Sequence, residues 1–242
     1  MISPASANST NIAMINIASR ILFEDNHLLI VNKLPSELVQ GDKTQDASLL
    51  DAVKEYIRQT KQKEGAVFAG LIHRIDRPVS GAVMYARTSK ALSRMNAQIK
   101  ERTIQKQYLA IVRNKPPLNM DVLEHFVWKN EKLNKSFVVQ PDHAGARQAR
   151  LTYQLISSSE SFHLLKIMLH TGRHHQIRVQ LAEIGCPLLG DLKYGDKRSN
   201  PDGSICLHAY SLDFEHPVQK TMVQIKAPMP DSMPWKFFTG KI

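Results

Sequence analysis

The stretch His73-Arg74-Ile75-Asp76-Arg77-Pro78-Val79-Ser80-Gly81 sets one carboxylate between two guanidinium groups, at the end of the apolar run Ala66–Ile75. Pro78 and Gly81 punctuate a loop, and Gly81–Arg87 then reads as an apolar strand. Loops carried on the ends of buried strands are where reactive side chains tend to sit. Chemistry alone leaves two readings of Asp76. It is a surface ion pair closing a turn, or it is a nucleophile or base that its cationic neighbours keep ionised.

Outward from this loop the pattern is one of many strands and few helices. Upstream, Arg20–Glu24 and His27–Asn32 read as strands joined by Asp25-Asn26. Leu49, Leu50, Val53, Tyr56 and Ile57 follow at helical spacing, with Asp46 as the expected N-cap. Downstream, Ser89 is expected to cap a helix reaching Lys100 that buries Leu92, Met95 and Ile99, and Lys106–Val112 reads as a strand. Strand-like runs recur at Leu123–Trp128, Ser136–Gln140, Arg150–Ser157 and His163–His170. Gly172-Arg173 turns into a helix, Gln176–Ile184, stopped by Gly185 and Pro187. The strands Ile205–Phe214 and Thr221–Lys226 lead to a Pro-rich tail. The pattern predicts an α+β fold, a large mixed and mostly antiparallel sheet with flanking helices and a central basic cleft. Residues 1–19 carry no charge and no signal-peptide pattern, so we expect a flexible N-terminal arm, with a single domain over 20–242.

Composition narrows the class. The chain has 242 residues, 43% hydrophobic and 22% charged, which are globular values. No apolar run approaches the ~18 residues of a membrane helix. Two cysteines, Cys186 and Cys206, are too few for a disulfide framework or a four-thiolate metal site, and fit a reducing cytoplasm. Lys and Arg total 32 against 22 Asp and Glu, a net charge of +10, which suits a polyanionic partner. Much of the excess sits between Gly81 and Lys115, where eight basic residues face Glu101 alone.

A second motif is His170-Thr171-Gly172-Arg173-His174-His175-Gln176-Ile177-Arg178. The spacing of His170 and His174 raises a metal site, but Gly172 breaks the helix that spacing needs and no acidic third ligand is near. The better reading is a strand-to-helix turn presenting cations, where backbone N–H groups, Arg173 and Arg178 meet a phosphate or a carboxylate. Gly190-Asp191-Leu192-Lys193-Tyr194-Gly195 is a short glycine-flanked loop, weak by itself. Lys106-Gln107-Tyr108 places a tyrosine in an amphipathic strand, where core packing is its ordinary role.

In combination these motifs resemble the RluA-type pseudouridine synthases, from about Ile21 to Lys226. Four pieces recur in the family's order: Val31-Asn32-Lys33-Leu34-Pro35; His73 to Gly81 with Thr88-Ser89-Lys90 beyond; Lys106 to Val112; and Gly172 to Arg178 running into Pro187-Leu188-Leu189-Gly190-Asp191 and Tyr194-Gly195. The resemblance implies an RNA uridine isomerase acting on ribosomal or transfer RNA. Asp76 would be its catalytic aspartate and Arg74 the residue that extrudes the target nucleotide and fills its place. Tyr108 would stack on the base and is implicated in deprotonation at C5, and Arg178 would pair with the aspartate. We expect Arg77, His73, Arg173, His175 and Gln176 to contact the substrate, and Lys90, Arg94, Lys100, Arg102 and Lys106 to hold RNA phosphates. An isomerisation carries no group away, so no cofactor and no metal is expected, and a monomer is the default. Pro78-Val79 stands where the family commonly shows Asp-Thr, Ile75 where it shows Leu, and His174 where Ser or Thr is frequent. These departures bear on substrate preference more than on activity. Too few residues precede Ile21 for the additional N-terminal RNA-binding domain of some relatives. Whether Asp76 attacks the sugar or assists cleavage through a glycal-like intermediate stays open. So do two other classes, a non-catalytic RNA-binding module on the same fold and a metal-dependent nuclease built on His170, His174 and His175.

Overall fold

Leu28-Leu29-Ile30-Val31 is an unbroken apolar run, as a strand requires when both its faces are covered. In the computed structural model, which describes residues 15–42, 44, 46–62 and 64–242, this run lies in β2 (Leu28–Lys33) of an 11-stranded sheet. Side chains alternate along a strand. Leu29 and Val31 therefore enter one core with Val53 and Ile57 of α1 (Leu49–Thr60), and Leu28 and Ile30 enter another with Met95 of α2 (Ser89–Glu101). β4 (Ser80–Ala86) pairs with β2 and repeats the split, Val83 and Tyr85 on the α1 side, Met84 and Ala86 on the α2 side.

β1 (Ile21–Glu24) flanks β2, and β3 (Gly70–Leu71) is a two-residue pairing on β4. The sheet then passes from β4 to β10 (Leu207–Glu215), and only beyond it to β5 (Gln105–Val112), β9 (His163–Leu169), β8 (Arg147–Ser158), β6 (Met120–Asn130) and β7 (Lys135–Val139). Only the β4–β10 pairing is parallel among the described strands. One edge of β10 is shared, first by β4 at His208 and Ala209, then by β11 (Met222–Lys226) from Ser211 to Glu215. Gly81 sits at the join with φ +114°, and a Cβ there would stand 2.3 Å from the Ala209 carbonyl oxygen. No other residue fits that approach. The predicted α+β class, a mixed and mostly antiparallel sheet with flanking helices, is the fold observed.

Two caps differ from expectation. Ser48, not Asp46, accepts from the Asp51 N–H at the start of α1, and Asp46 is drawn instead to Arg77 at 2.9 Å. Thr88, not Ser89, caps α2 by accepting from Ala91 N–H at 3.1 Å. Each cap sits one position before the first helical N–H groups that need it. The described part of the arm expected over 1–19, residues 15–19, is packed onto the fold through Ile15 and Ile17. Ile17 is 2% exposed within the core, and Arg20 binds Glu37 at 2.8 Å; residues 1–14 lie outside the described residues. The Pro-rich tail also packs, burying Trp235 and Phe238 against Leu109 and Ile111 of β5.

Candidate active site

α3 (Gln176–Glu183) is short and almost wholly buried, so an arginine in it needs carboxylates. Arg178 has two. Its Nε and Nη2 donate to Asp191 Oδ2 and Oδ1 at 2.7 and 2.8 Å, a bidentate fork, and its Nη1 donates to Asp76 Oδ2 at 3.1 Å. Burial works against the charge, but the two carboxylates outweigh it and hold the Arg178 pKa above its ordinary value. Asp191 is sealed, whereas the Asp76 side chain is 27% exposed. The guanidinium is thus anchored from behind by Asp191 and presents its remaining arm to Asp76, which opens on a cleft of about 990 Å³.

His175 stands at the start of α3 in the left-handed region, φ +52°, and turns its ring inward. Tyr194 Oη accepts from the Ser136 N–H at 2.8 Å and lies 2.9 Å from His175 Nδ1. Burial and the Arg178 charge push the His175 pKa down to about 2, so the imidazole is neutral. With the phenol donating to Nδ1, the Nε2–H points toward Asp76 Oδ2, 3.6 Å away. The Tyr194 ring also lies under Arg178, 5.0 Å from the guanidinium carbon.

Tyr108 is on β5, inside the cleft, with no hydrogen bond to its hydroxyl among the described residues. Burial and the Asp76 charge push its pKa well above the usual phenol range, so the phenol is protonated at neutral pH. Lys106 lies two residues earlier on the same face. Its Nζ lies beside Gly172, 3.7 Å from where a Cβ would stand there, which is ordinary van der Waals contact.

The sequence model of the RNA pseudouridylate synthase family matches residues 27–183. The chain belongs to this family. It is 33% identical over 221 residues to the ribosomal large subunit pseudouridine synthase C of Buchnera aphidicola subsp. Acyrthosiphon pisum, covering 88% of this chain and 68% of that protein. It is 34% identical over 231 residues to the ribosomal large subunit pseudouridine synthase D of Nitrosomonas europaea, covering 90% and 64%. The chain therefore spans about two thirds of these relatives' length. Human RNA Pseudouridylate Synthase Domain Containing 4 shares the fold, with a TM-score of 0.74 at 22% identity over 89% of this chain and 90% of that one. An RNA pseudouridine synthase is an isomerase, and family membership does not favour the non-catalytic binding module.

Within this family frame the expected site residues divide. Asp76, Tyr108, Arg178, Arg74, His73, Arg173 and His175 all line the one cleft, together with Lys100, Arg102 and Lys106. Arg74 is exposed and pairs with no carboxylate among the described residues. His73 is neutral, its pKa lowered by burial and by Lys106 to about 3, with Nε2 sealed and unpartnered. Four expected residues are not presented to the cleft in this way. Arg77 points away from the cleft, its guanidinium held by Asp46 and the Ser36 carbonyl, because Pro78 turns the chain. Gln176 lies at the cleft floor, but its amide is consumed by Thr171, the Arg173 N–H, the Arg150 carbonyl and Gln180, which leaves nothing for substrate. Lys90 is exposed on the first turn of α2, about 15 Å along the helix from Lys100, outside the cleft lining, where its expected phosphate contact stays a proposal. Arg94 does not line the cleft and donates to the Pro217 carbonyl at 2.8 Å.

Sequence reasoning also passed over three supports. Asp191, Tyr194 and Lys33 lie within the family's motifs but were given no role. Lys33 is fully buried in β2, and its ammonium donates to the carbonyls of Leu34, Arg77 and Val79 at 2.9, 2.9 and 2.6 Å. Burial pushes its pKa down to about 7. It clamps the loop on both sides of Pro78 and so fixes where Asp76 points. A lysine closing an apolar strand was the available clue. The paired histidines part company: His170 Nε2 meets Thr152 Oγ1, while His174 bonds Ser136 and Asn134.

Proposed function

We propose that this chain isomerises uridine to pseudouridine in ribosomal RNA, with Asp76 acting at the ribose and Tyr108 stacking on the base. The observation that carries the residue assignment is the Asp191–Arg178–Asp76 chain, which holds an acid group paired, aimed and open to a basic cleft. The names of the relatives support the ribosomal substrate. In the reaction the bond from C1′ to N1 breaks, the uracil turns, and C1′ bonds to C5. The proton lost from C5 is balanced by one gained at N1, so no electrons or groups leave. A carboxylate serves either route, as nucleophile at C1′ or as base at C2′. We read the enzyme as a monomer in a reducing compartment, which suits its two buried free thiols.

The target must first leave its stack, at a cost of a few kcal/mol. Stacking on Tyr108 returns about 1–3 kcal/mol, and the unpaired Arg74 guanidinium is free to occupy the gap left in the RNA. Lys100, Arg102 and Lys106 along the cleft rim hold phosphates without reading bases. The test is Asp76→Asn, a near-isosteric change that removes the charge. It is expected to abolish pseudouridine formation while RNA affinity survives; parental turnover by this variant defeats the assignment.

A further inference from the structure

Beside the cleft lies a second pocket of about 290 Å³, which the reaction does not use. It shares Lys129, Arg173 and His174 with the cleft and adds Trp128 and Arg147 as its own. That volume is at the lower end of small-ligand pockets, which run from roughly 300 to 1,000 Å³. Trp128 is on β6, partly exposed, with His143 at 4.9 Å and its cross-strand partner Phe137 at 6.4 Å. Its indole N–H makes no hydrogen bond among the described residues. Gly145 closes one wall by passing its backbone against the indole; a Cβ there would lie 3.2 Å from Trp128 Cδ1.

The charges are unbalanced. Arg147 and Arg102 have no carboxylate partner among the described residues, and the Arg173 guanidinium is held only by the Gln148 carbonyl at 2.9 Å. Burial and the nearness of Arg102 and Arg147 depress the Arg173 pKa, and the one carboxylate lining the pocket, Glu131, is taken by Lys129 at 2.6 Å. An aromatic ring beside uncompensated guanidiniums matches what a stacked base and its phosphate require. Arg173 stands at the join, lining both the cleft that holds Asp76 and the pocket.

We propose that this pocket receives the base of a nucleotide adjacent to the target uridine, against Trp128, with the linking phosphate on Arg147 and Arg173. The inference rests on the target occupying the cleft beside Asp76. It makes the enzyme a reader of two unstacked nucleotides in single-stranded or looped RNA.

The experiment is a fluorescence titration of the Asp76→Asn protein with a short single-stranded oligoribonucleotide carrying one uridine. The same strand with an abasic residue on either side of the uridine is run beside it. The only other tryptophan, Trp235, is buried in the tail and serves as a silent reference. We expect the intact strand to quench Trp128, and the quench to vanish in Trp128→Phe, which keeps an aromatic ring in the packing. One of the two abasic strands should bind about tenfold more weakly. Arg147→Gln should flatten the salt dependence by about one unit of log–log slope. No quench with the intact strand, or full affinity for both abasic strands, overturns the proposal; in the latter case the patch is a phosphate contact only. Absence of pseudouridine in wild-type reactions, with quenching intact, counts against the active-site reading and leaves the pocket standing.

Discussion

Asp191 is the residue on which the geometry of Asp76 depends at one remove, and Asp191→Asn isolates that dependence. The amide keeps the shape and one acceptor but loses the charge and half of the bidentate fork. Both partners are sealed, with side-chain exposures of 6% for Arg178 and 1% for Asp191, so water does not screen the loss. Breaking a buried ion pair costs about 3–5 kcal/mol. The count of bonds agrees: one charge-assisted hydrogen bond removed costs about 1.5–3 kcal/mol, and a weakened second adds to it. For a chain of this size, about 2–4 °C per kcal/mol gives a fall in melting midpoint of about 10 °C. The freed guanidinium then has Asp76 as its only carboxylate and engages both its oxygens, which takes lone pairs from the substrate. Turnover should drop at least tenfold, read as release of tritium from uridine labelled at C5 under single-turnover conditions. In an Arg178→Met background the same substitution should cost far less stability, because its partner is gone. A melting midpoint within about 2 °C of the parent, with parental turnover, refutes the anchoring role.

Three further outcomes follow from the site. His73, His175 and His208 are held neutral by burial, with pKa values pushed down to about 3, 2 and 4. Their contribution is complete above the ordinary value of about 6.5 and is lost as pH falls toward the folded-state values, by up to about 1.4 kcal/mol per pH unit for each. Urea melts between about pH 7 and 4.5 should show this slope, and a flat profile contradicts it. RNA affinity should fall steeply with salt, less so by about one unit of log–log slope in Arg102→Gln. Arg94→Gln should leave the slope unchanged, because that guanidinium is committed to the Pro217 carbonyl. Tyr108→Phe should bind a uridine oligonucleotide as the parent does, whereas Tyr108→Ala should lose about 1–3 kcal/mol of stacking. The raised phenol pKa also predicts no increase in rate from phenolate formation between about pH 7 and 9.

The strands and helices were legible because their signals are local. The continuous apolar run of β2, the 3.6-residue spacing of Leu49, Val53 and Ile57, and the breaks at Gly172 and Gly185 each reveal one element. Asp76, Tyr108 and Arg178 were legible because four motifs in order carried them, and the cleft brings them together. What composition could not reveal was direction. Arg77 and Arg94 are as basic as Arg74 and Arg102, but a proline turn and a helix face aim them elsewhere. Gln176 has the chemistry of a substrate ligand, and only the bonds around it reveal that its amide is spent. Asp191 stayed hidden because its importance lies wholly in a partner thirteen residues back, sealed from solvent.

The placement of β10 between β4 and β5 has a consequence for how the molecule comes into being. The loop bearing Asp76 leads into β4 and Tyr108 lies on β5, so the two halves of the candidate site are joined by a strand that follows both of them in the chain. Such a topology is rich in contacts between residues far apart in sequence, which slows folding. A growing chain carries both groups early but cannot bring them together until Leu207–Glu215 has emerged and threaded between them. The proposed site thus forms only when a strand distant in sequence has joined the sheet, and its assembly is one step with the closure of the sheet.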